Sequence, residues 1–339
     1  MKIKSLKNVT SKLYKEDIKM KRSEILERLG FSVPEIKKKR VIVVSDIKAE
    51  ADDQFAIAHH MLTPCFELKG IIASHFEWRY RTFEQLKSQR GTSRERCYEE
   101  GQKILKLMEI DDVPLLRGSK YELANENDLP ESEGADLIIE EAMKDGDMPL
   151  YIAVQTNLTD LAIAYKKEPR IADRLTAIFI GGGSYPSGGD EMNIKGDLIA
   201  SRIVFNSPIK IWQIPITTYR NMEISLTELM HKVKPCGDIG AYLCKQMIEL
   251  NNFYGNAPMR MSFPHGESWS LGDNPTVSVL LQSESRECWH TEKAPVIHDD
   301  LTYSPNPDGK EIRVYDSIDT RMTLDDLFAK LNICYANEI

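Results

Sequence analysis

The sequence predicts a doubly wound α/β fold, with a mostly parallel sheet carrying helices on both faces. Two patterns predict it, and length and composition permit it. Short β-branched apolar runs alternate with segments of helical spacing, the rhythm of βαβ units. Those runs are apolar throughout rather than at every second position, as expected of strands buried between two helix layers. At 339 residues, 42% hydrophobic and 28% charged, the chain can bury a large core and lies far from the composition of disordered proteins.

Residues 1–38 are Lys-rich and run into the basic stretch Pro34–Arg40. Within them Ser23 precedes an amphipathic segment that Gly30 can cap, so they read as an N-terminal helical arm ahead of a single domain, 39–339. Arg40–Ser45 reads as a strand, Asp53–Leu62 as a helix with Phe55, Ala58 and Leu62 on one side, and Leu68–Ala73 as the next strand. Residues 79–100 are strongly charged with few apolar anchors, the pattern of a surface helix or of a mobile loop over a site. Leu150–Val154, Ala177–Ile180 and Ile209–Ile214 are further strands, with a helix over Leu158–Tyr165 and a glycine turn at Gly181–Gly183. Between Cys288 and Arg313 turn residues cluster, and Asn306-Pro-Asp-Gly309 reads as a hairpin turn.

A net charge of −8 offers no basic footprint for a nucleic-acid polymer or an anionic membrane. Six cysteines without a CxxC pair suggest reduced thiols rather than a zinc knuckle or redox dithiol. No apolar run resembles a signal peptide or spans a bilayer, which makes the cytoplasm the default compartment.

In open α/β sheets, ligands bind beyond the carboxyl ends of the strands. There the first strand runs into Ser45-Asp46-Ile-Lys48-Ala-Glu50-Ala-Asp52-Asp53, four carboxylates on one loop at a helix start. Crowded carboxylates repel, and some protonate unless a cation neutralises them; hard oxygen ligands favour Ca²⁺ or Mg²⁺. Asp52 and Asp53 also suit simple helix capping, whereas a strand-end aspartate such as Asp46 is remote from that duty. After the glycine turn, Glu191 and Asn193 pair a carboxylate with an amide, acceptor and donor for the vicinal hydroxyls of a ribose, although such loops are often merely polar.

These segments together resemble the nucleoside hydrolase family. The acidic loop resembles its metal signature, Gln155-Thr-Asn-Leu-Thr159 its turn after a central strand, and Glu191-Met-Asn193-Ile-Lys-Gly-Asp197 its ribose-binding segment. The resemblance is good over residues 40–220 and thin afterwards. It implies a metal-dependent cleavage of an N-ribosyl bond in a nucleoside or related small N-riboside, with Ca²⁺ or Mg²⁺ as cofactor and a homo-oligomer as the assembly. Residue by residue, it implies a metal held by Asp46, Asp53, the backbone carbonyl of Gln155 and Asp273. Asp46 then acts as proton acceptor, Asp52 as a group acting on the ribose, and Glu50, Glu77, Glu191 and Asn193 as substrate contacts.

The chain departs from the family pattern in two places. Lys48 takes the position of a ligating aspartate, and Gly272 stands where some members carry the histidine that assists the leaving base. His265 or His75 is then the candidate acid, and Trp78, Trp269 and Tyr185 are candidate stacking surfaces. The same departures suit a ribosyl-ligand binding protein that has lost hydrolysis. A phosphohydrolase reading, prompted by the strand-end aspartate, lacks the second aspartate two residues on.

Overall fold

The computed structural model describes residues 20–256, 266–282 and 288–336, the side chain of Gln85 excepted. Its strands are β1 (Lys39–Ser45), β2 (Phe66–Ala73), β3 (Leu115–Arg117), β4 (Leu150–Val154), β5 (Leu175–Ile180) and β6 (Lys210–Ile214), extended by strands Glu311–Tyr315 and Trp289–Lys293. They form one eight-stranded sheet in the order β3-β2-β1-β4-β5-β6, then Glu311–Tyr315, then Trp289–Lys293. The pairings are parallel except the last, where Trp289–Lys293 runs antiparallel to its neighbour.

Continuous apolar character in the strands has the predicted cause. Val41, Val43 and Ile71 enter one core cluster, while Ile42, Val44 and Ile72 enter the other, on the opposite face. Among the described residues, the α-helices before residue 207 are α1 (Arg22–Glu27), α2 (Asp53–Met61), α3 (Glu77–Thr82), α4 (Ser93–Leu107), α5 (Glu133–Met143), α6 (Thr159–Lys167), α7 (Met192–Gly196) and α8 (Leu198–Asn206). α1, α2 and α4, with Gly237–Gly255 and Thr320–Tyr335, pack into the first cluster; α5, α6 and α8 pack into the second. Each fully buried branched or aromatic side chain stabilises the fold by roughly 1.5–3 kcal/mol relative to leaving it exposed.

The strand order sets the place of the site. From β1 the chain moves outward to β2 and β3, then crosses back to β4 on the other side of β1. β1 and β4 therefore meet at a topological switch point, where a crevice opens beyond their carboxyl ends. Ser45 and Asp46 lie at the end of β1, and Gln155 at the end of β4, its N–H donating to Val44 O at 2.8 Å.

Two expectations are revised. The charged stretch 79–100 is α3, a short 3₁₀ turn and α4; Cys97, Gly101 and Ile104 bury one side of α4, so it is core-facing as well as solvated. The turn at Asn306 closes with Gly309 N donating to Asn306 O at 3.0 Å. Its flanking strands, Tyr303–Ser304 and Glu311–Tyr315, pair with other partners, so no hairpin forms there. All six cysteines are free thiols. Among the described residues, no helix is long and apolar enough to cross a membrane.

Of the N-terminal arm, residues 1–19 lie outside the described residues. From Met20 onward the segment is docked on the sheet body: Ile25 is buried, and Gly30 ends the turn at φ +73°. The Arg22 guanidinium donates to Met61 O (2.8 Å), Phe66 O (2.7 Å), Thr63 O (2.7 Å) and His60 O (3.2 Å).

Ser132 caps α5, accepting from Ala135 N at 2.9 Å and donating to Asp160 Oδ1 at 2.6 Å. Ser132→Ala is expected to cost about 1–2 kcal/mol, read as a lowered urea midpoint at unchanged m value.

Candidate active site

The acidic loop wraps the crevice as its position at the end of β1 requires. Asp46, Glu50, Asp52, Asp53, Gln155, Glu191, Asn193 and Asp273 line one cavity of about 440 Å³, together with Trp78, Arg79, Ile180, Met192, Tyr219 and Gly272. Asp52, Asp53 and Asp273 each offer a carboxylate oxygen within 4.8 Å of the others, and all three are buried. Asp46 stands beside this triple, near enough to raise the carboxyls of Asp53 and Asp273 electrostatically. The loop's spacing explains the convergence: two residues at the first turn of α2 meet one from the turn that opens helix Pro275–Leu281.

Four carboxylates withdrawn from water repel one another and resist ionisation. Burial, followed by neighbouring carboxylates, holds Asp52, Asp53 and Asp273 well above the ordinary range. Burial pushes Asp46 up to about 7, opposed by the Arg79 guanidinium. Ser45 Oγ donates to Asp53 Oδ1 at 2.5 Å, which fixes that carboxylate's rotamer. Arg79 carries the positive charge in the cavity wall, and it is already bonded to Glu50 and to the Tyr254 hydroxyl. Its guanidinium lies over the rings of Trp78 (5.1 Å) and Tyr254 (5.9 Å).

The residues fit a hard divalent cation. Their oxygen donors converge, their mutual repulsion needs a counter-charge that Arg79 alone does not supply, and Gln155 Oε1 is buried without a hydrogen-bond partner. Gln155 Nε2 is committed to Thr276 Oγ1 at 2.9 Å.

On the opposite wall, the glycine turn and α7 are organised by Glu191. Its carboxylate accepts from Gly182 N (2.7 Å), Asn193 N (3.0 Å), Ile194 N (3.0 Å) and the Tyr219 hydroxyl (3.0 Å). Gly182 sits at φ +92°, and a Cβ there would lie 2.1 Å from Gln213 Nε2, so the close approach of turn to sheet requires glycine. Asn193 Nδ2 donates to Ile180 O at 2.8 Å, which leaves its second N–H and its Oδ1 for the cavity.

Comparison with known proteins bears on this arrangement. The family model described as "Inosine-uridine preferring nucleoside hydrolase" matches residues 41–325, most of the chain. The chain belongs to this nucleoside hydrolase family. A curated relative of the same description from Crithidia fasciculata is 26% identical over 140 residues, a stretch covering 40% of this chain and 42% of that protein. Among solved structures, the fold is shared with a purine-preferring ribonucleoside hydrolase from Gardnerella vaginalis, at TM-score 0.69 and 18% identity over 87% of this chain and 99% of that one. It is also shared with the type III effector XopQ complexed with adenosine diphosphate ribose, at TM-score 0.64 and 11% identity over 93% of this chain and 99% of that one.

Against the nucleoside hydrolase pattern, several residues stand elsewhere than the sequence suggested. Glu77 is buried outside the cavity, accepting from Gly91 N at 2.6 Å and from Ser93 N and Oγ at 3.1 and 2.5 Å, so it anchors the start of α4. His75 is also buried away from the cavity, its Nε2 against Thr159 Oγ1 at 3.1 Å and its pKa lowered by burial to about 4. Trp269 lies in the core stacked on Tyr254, and Tyr185 lines a separate cavity beside His290; only Trp78 of the three aromatic candidates reaches the site. His265 lies outside the described residues. Lys48 turns away from the carboxylates and pairs with Glu100 at 3.4 Å. Gly272 is part of the wall, where a Cβ would stand 3.0 Å from the Tyr219 ring and 3.4 Å from Asp52.

Sequence reasoning missed Arg79, Tyr219 and Met192. Arg79 sits in a stretch whose charge reads as solvated, and its burial depends on Tyr254, distant in sequence. Met192 and Tyr219 carried no signal beyond their closeness to Glu191 and to the end of β6.

Proposed function

We propose that this chain hydrolyses the N-glycosidic bond of a ribonucleoside or related N-riboside with the aid of a bound divalent cation. The observation that carries this reading is the convergence of Asp52, Asp53 and Asp273 within 4.8 Å, in the cavity that also holds Asn193. Asp52, Asp53 and Asp273, with Asp46 beside them and Gln155 at the end of β4, would hold Ca²⁺ or Mg²⁺. When bound, the cation lowers the pKa of water and orients it for attack.

The chain's own residues supply charge stabilisation, a proton acceptor and a sugar contact, and the departing base takes its proton from solvent, no described histidine lining the cavity. The bond breaks through a transition state with positive charge on the sugar, which the surrounding carboxylates stabilise. Asp46 is the group we assign to accept the water's proton, since it lines the cavity at the end of β1 beside the acidic triple. Asn193 is the ribose-hydroxyl contact. Glu191, its acceptor positions filled by three backbone N–H groups and Tyr219, holds Asn193 in place rather than binding the sugar itself.

A second reading, a ribosyl-ligand binding protein without hydrolysis, is favoured by Gly272, which brings no side chain to the leaving group. The structurally similar XopQ, solved with adenosine diphosphate ribose, makes that ligand a sensible probe. The test is base release from inosine, uridine and adenosine with Ca²⁺ present, run beside calorimetry with the same nucleosides and adenosine diphosphate ribose. Release that stops with a chelator supports hydrolysis. Binding without release transfers the case to the second reading, and neither binding nor release overturns both.

A further inference from the structure

We infer that His59, held by Asp326, is a positioning residue for the cation site: it ties together the two chain segments whose carboxylates make the acidic triple. The inference rests on the reading of that triple as a divalent-cation site. Asp52 and Asp53 stand at the first turn of α2; Asp273 stands on the turn Leu271–Asn274. The two segments are far apart in sequence, and their carboxylates repel, so something must hold them at ligating distance.

His59, on the same helix α2, meets Asn274 directly: Asn274 Nδ2 lies 3.1 Å from His59 Nδ1 in a buried contact. An amide nitrogen donates, so His59 Nδ1 is the acceptor and the ring's proton sits on Nε2. That Nε2–H points at Asp326 Oδ2, 2.8 Å away on helix Thr320–Tyr335. Asp326 in turn receives Lys330 Nζ at 2.5 Å, and Lys330 reaches Thr63 Oγ1 at 3.1 Å, just past the end of α2. The carboxylate thus fixes the imidazole tautomer, and the tautomer fixes which group on the neighbouring turn can bond to it. This is the arrangement by which outer partners orient ligands in metal sites, here acting through Asn274 on the adjoining Asp273.

The turn is secured on its other side as well. Asp273 O accepts from Thr276 Oγ1 at 2.7 Å, and Thr276 Oγ1 accepts from Gln155 Nε2 at 2.9 Å. His59 therefore completes a frame that fixes Asp273 between β4 and α2. None of His59, Asp326 and Lys330 lines the cavity.

The test is Ca²⁺ titration by calorimetry of the full chain and of His59→Leu, Asp326→Leu and Asp326→Asn, with the thermal midpoint of each metal-free protein measured alongside. His59→Leu and Asp326→Leu are expected to weaken Ca²⁺ binding roughly 10- to 100-fold at a temperature where circular dichroism reports them folded. Asp326→Asn keeps an oxygen acceptor for Nε2–H and is expected to stay within about threefold of the parent, scaled to the loss of a fraction of one hydrogen bond. Equal Ca²⁺ affinity in all four proteins, whatever their thermal midpoints, overturns the inference and leaves a purely structural cluster. If a leucine variant does not fold, a loss in Asp326→Asn equal to that in the remaining variant also overturns it. Absence of Ca²⁺ binding by the parent chain removes the cation reading itself, a result separate from either.

Discussion

Asp53→Ala is expected to abolish most base release while leaving the chain folded. The substitution removes one of three converging carboxylates and the acceptor of the Ser45 hydroxyl. Cation activation of water is worth several kcal/mol, and a factor of ten in rate corresponds to about 1.4 kcal/mol, so kcat/KM should fall on the order of 10³-fold. Loss of a repulsive buried carboxylate offsets the lost hydrogen bond, so circular dichroism and the metal-free thermal midpoint should change little. Full activity and unchanged Ca²⁺ content in this variant would remove the acidic triple from the mechanism.

The second large effect is on stability, and its sign depends on pH. Asp46 is pushed up to about 7 by burial, and its three neighbours are also raised, above the roughly 3.9 of an unfolded aspartate. A group with a raised folded pKa binds more protons folded than unfolded, so its stabilising share is complete below about 4 and drains away as pH climbs through the folded value. Metal-free protein should therefore lose stability across that span from this cluster. On the proposed function a cation would take the place of the protons, and its affinity would rise with pH because binding releases them. At 100 times Kd a ligand adds about 2.7 kcal/mol, which corresponds to a rise in thermal midpoint of roughly 4 °C for a chain of this size. The expected result is a Ca²⁺-dependent rise of that order at pH 8 that shrinks toward pH 5. Subtracting the metal-free scan at each pH cancels the opposite contribution of His59 and His60, whose pKa values are lowered by burial to about 4 and 3. A Ca²⁺ effect that is flat with pH, or absent, contradicts the site.

The central sheet could be read in the sequence because parallel strands between helix layers need apolar side chains on both faces, as β1 has. The outer edge could not. Trp289–Lys293 is a polar, half-exposed strand whose pairing is fixed by its neighbour rather than by its own pattern. In the site, Asp46 stood out because a strand-end aspartate is remote from helix capping, whereas Asp53 also suited a cap and Asp273 was reached only through the family resemblance; the folded chain brings the three into one cavity. Arg79 was not: among so many charged neighbours it signals solvent, and only the folded chain brings Glu50, Trp78 and Tyr254 around it. Glu77 failed for the converse reason. A carboxylate near a strand end looks like a ligand until the backbone N–H groups it receives are seen.

Arg22 gives the segment ahead of β1 a role its composition conceals. Its guanidinium occupies carbonyls at the trailing end of the helix whose leading end bears Asp53, so the chain's early residues brace the acidic crevice from behind. Trimming the polypeptide at Lys39 would strand those oxygens against apolar neighbours and free the base of that helix to shift, disturbing the carboxylates without touching any of them.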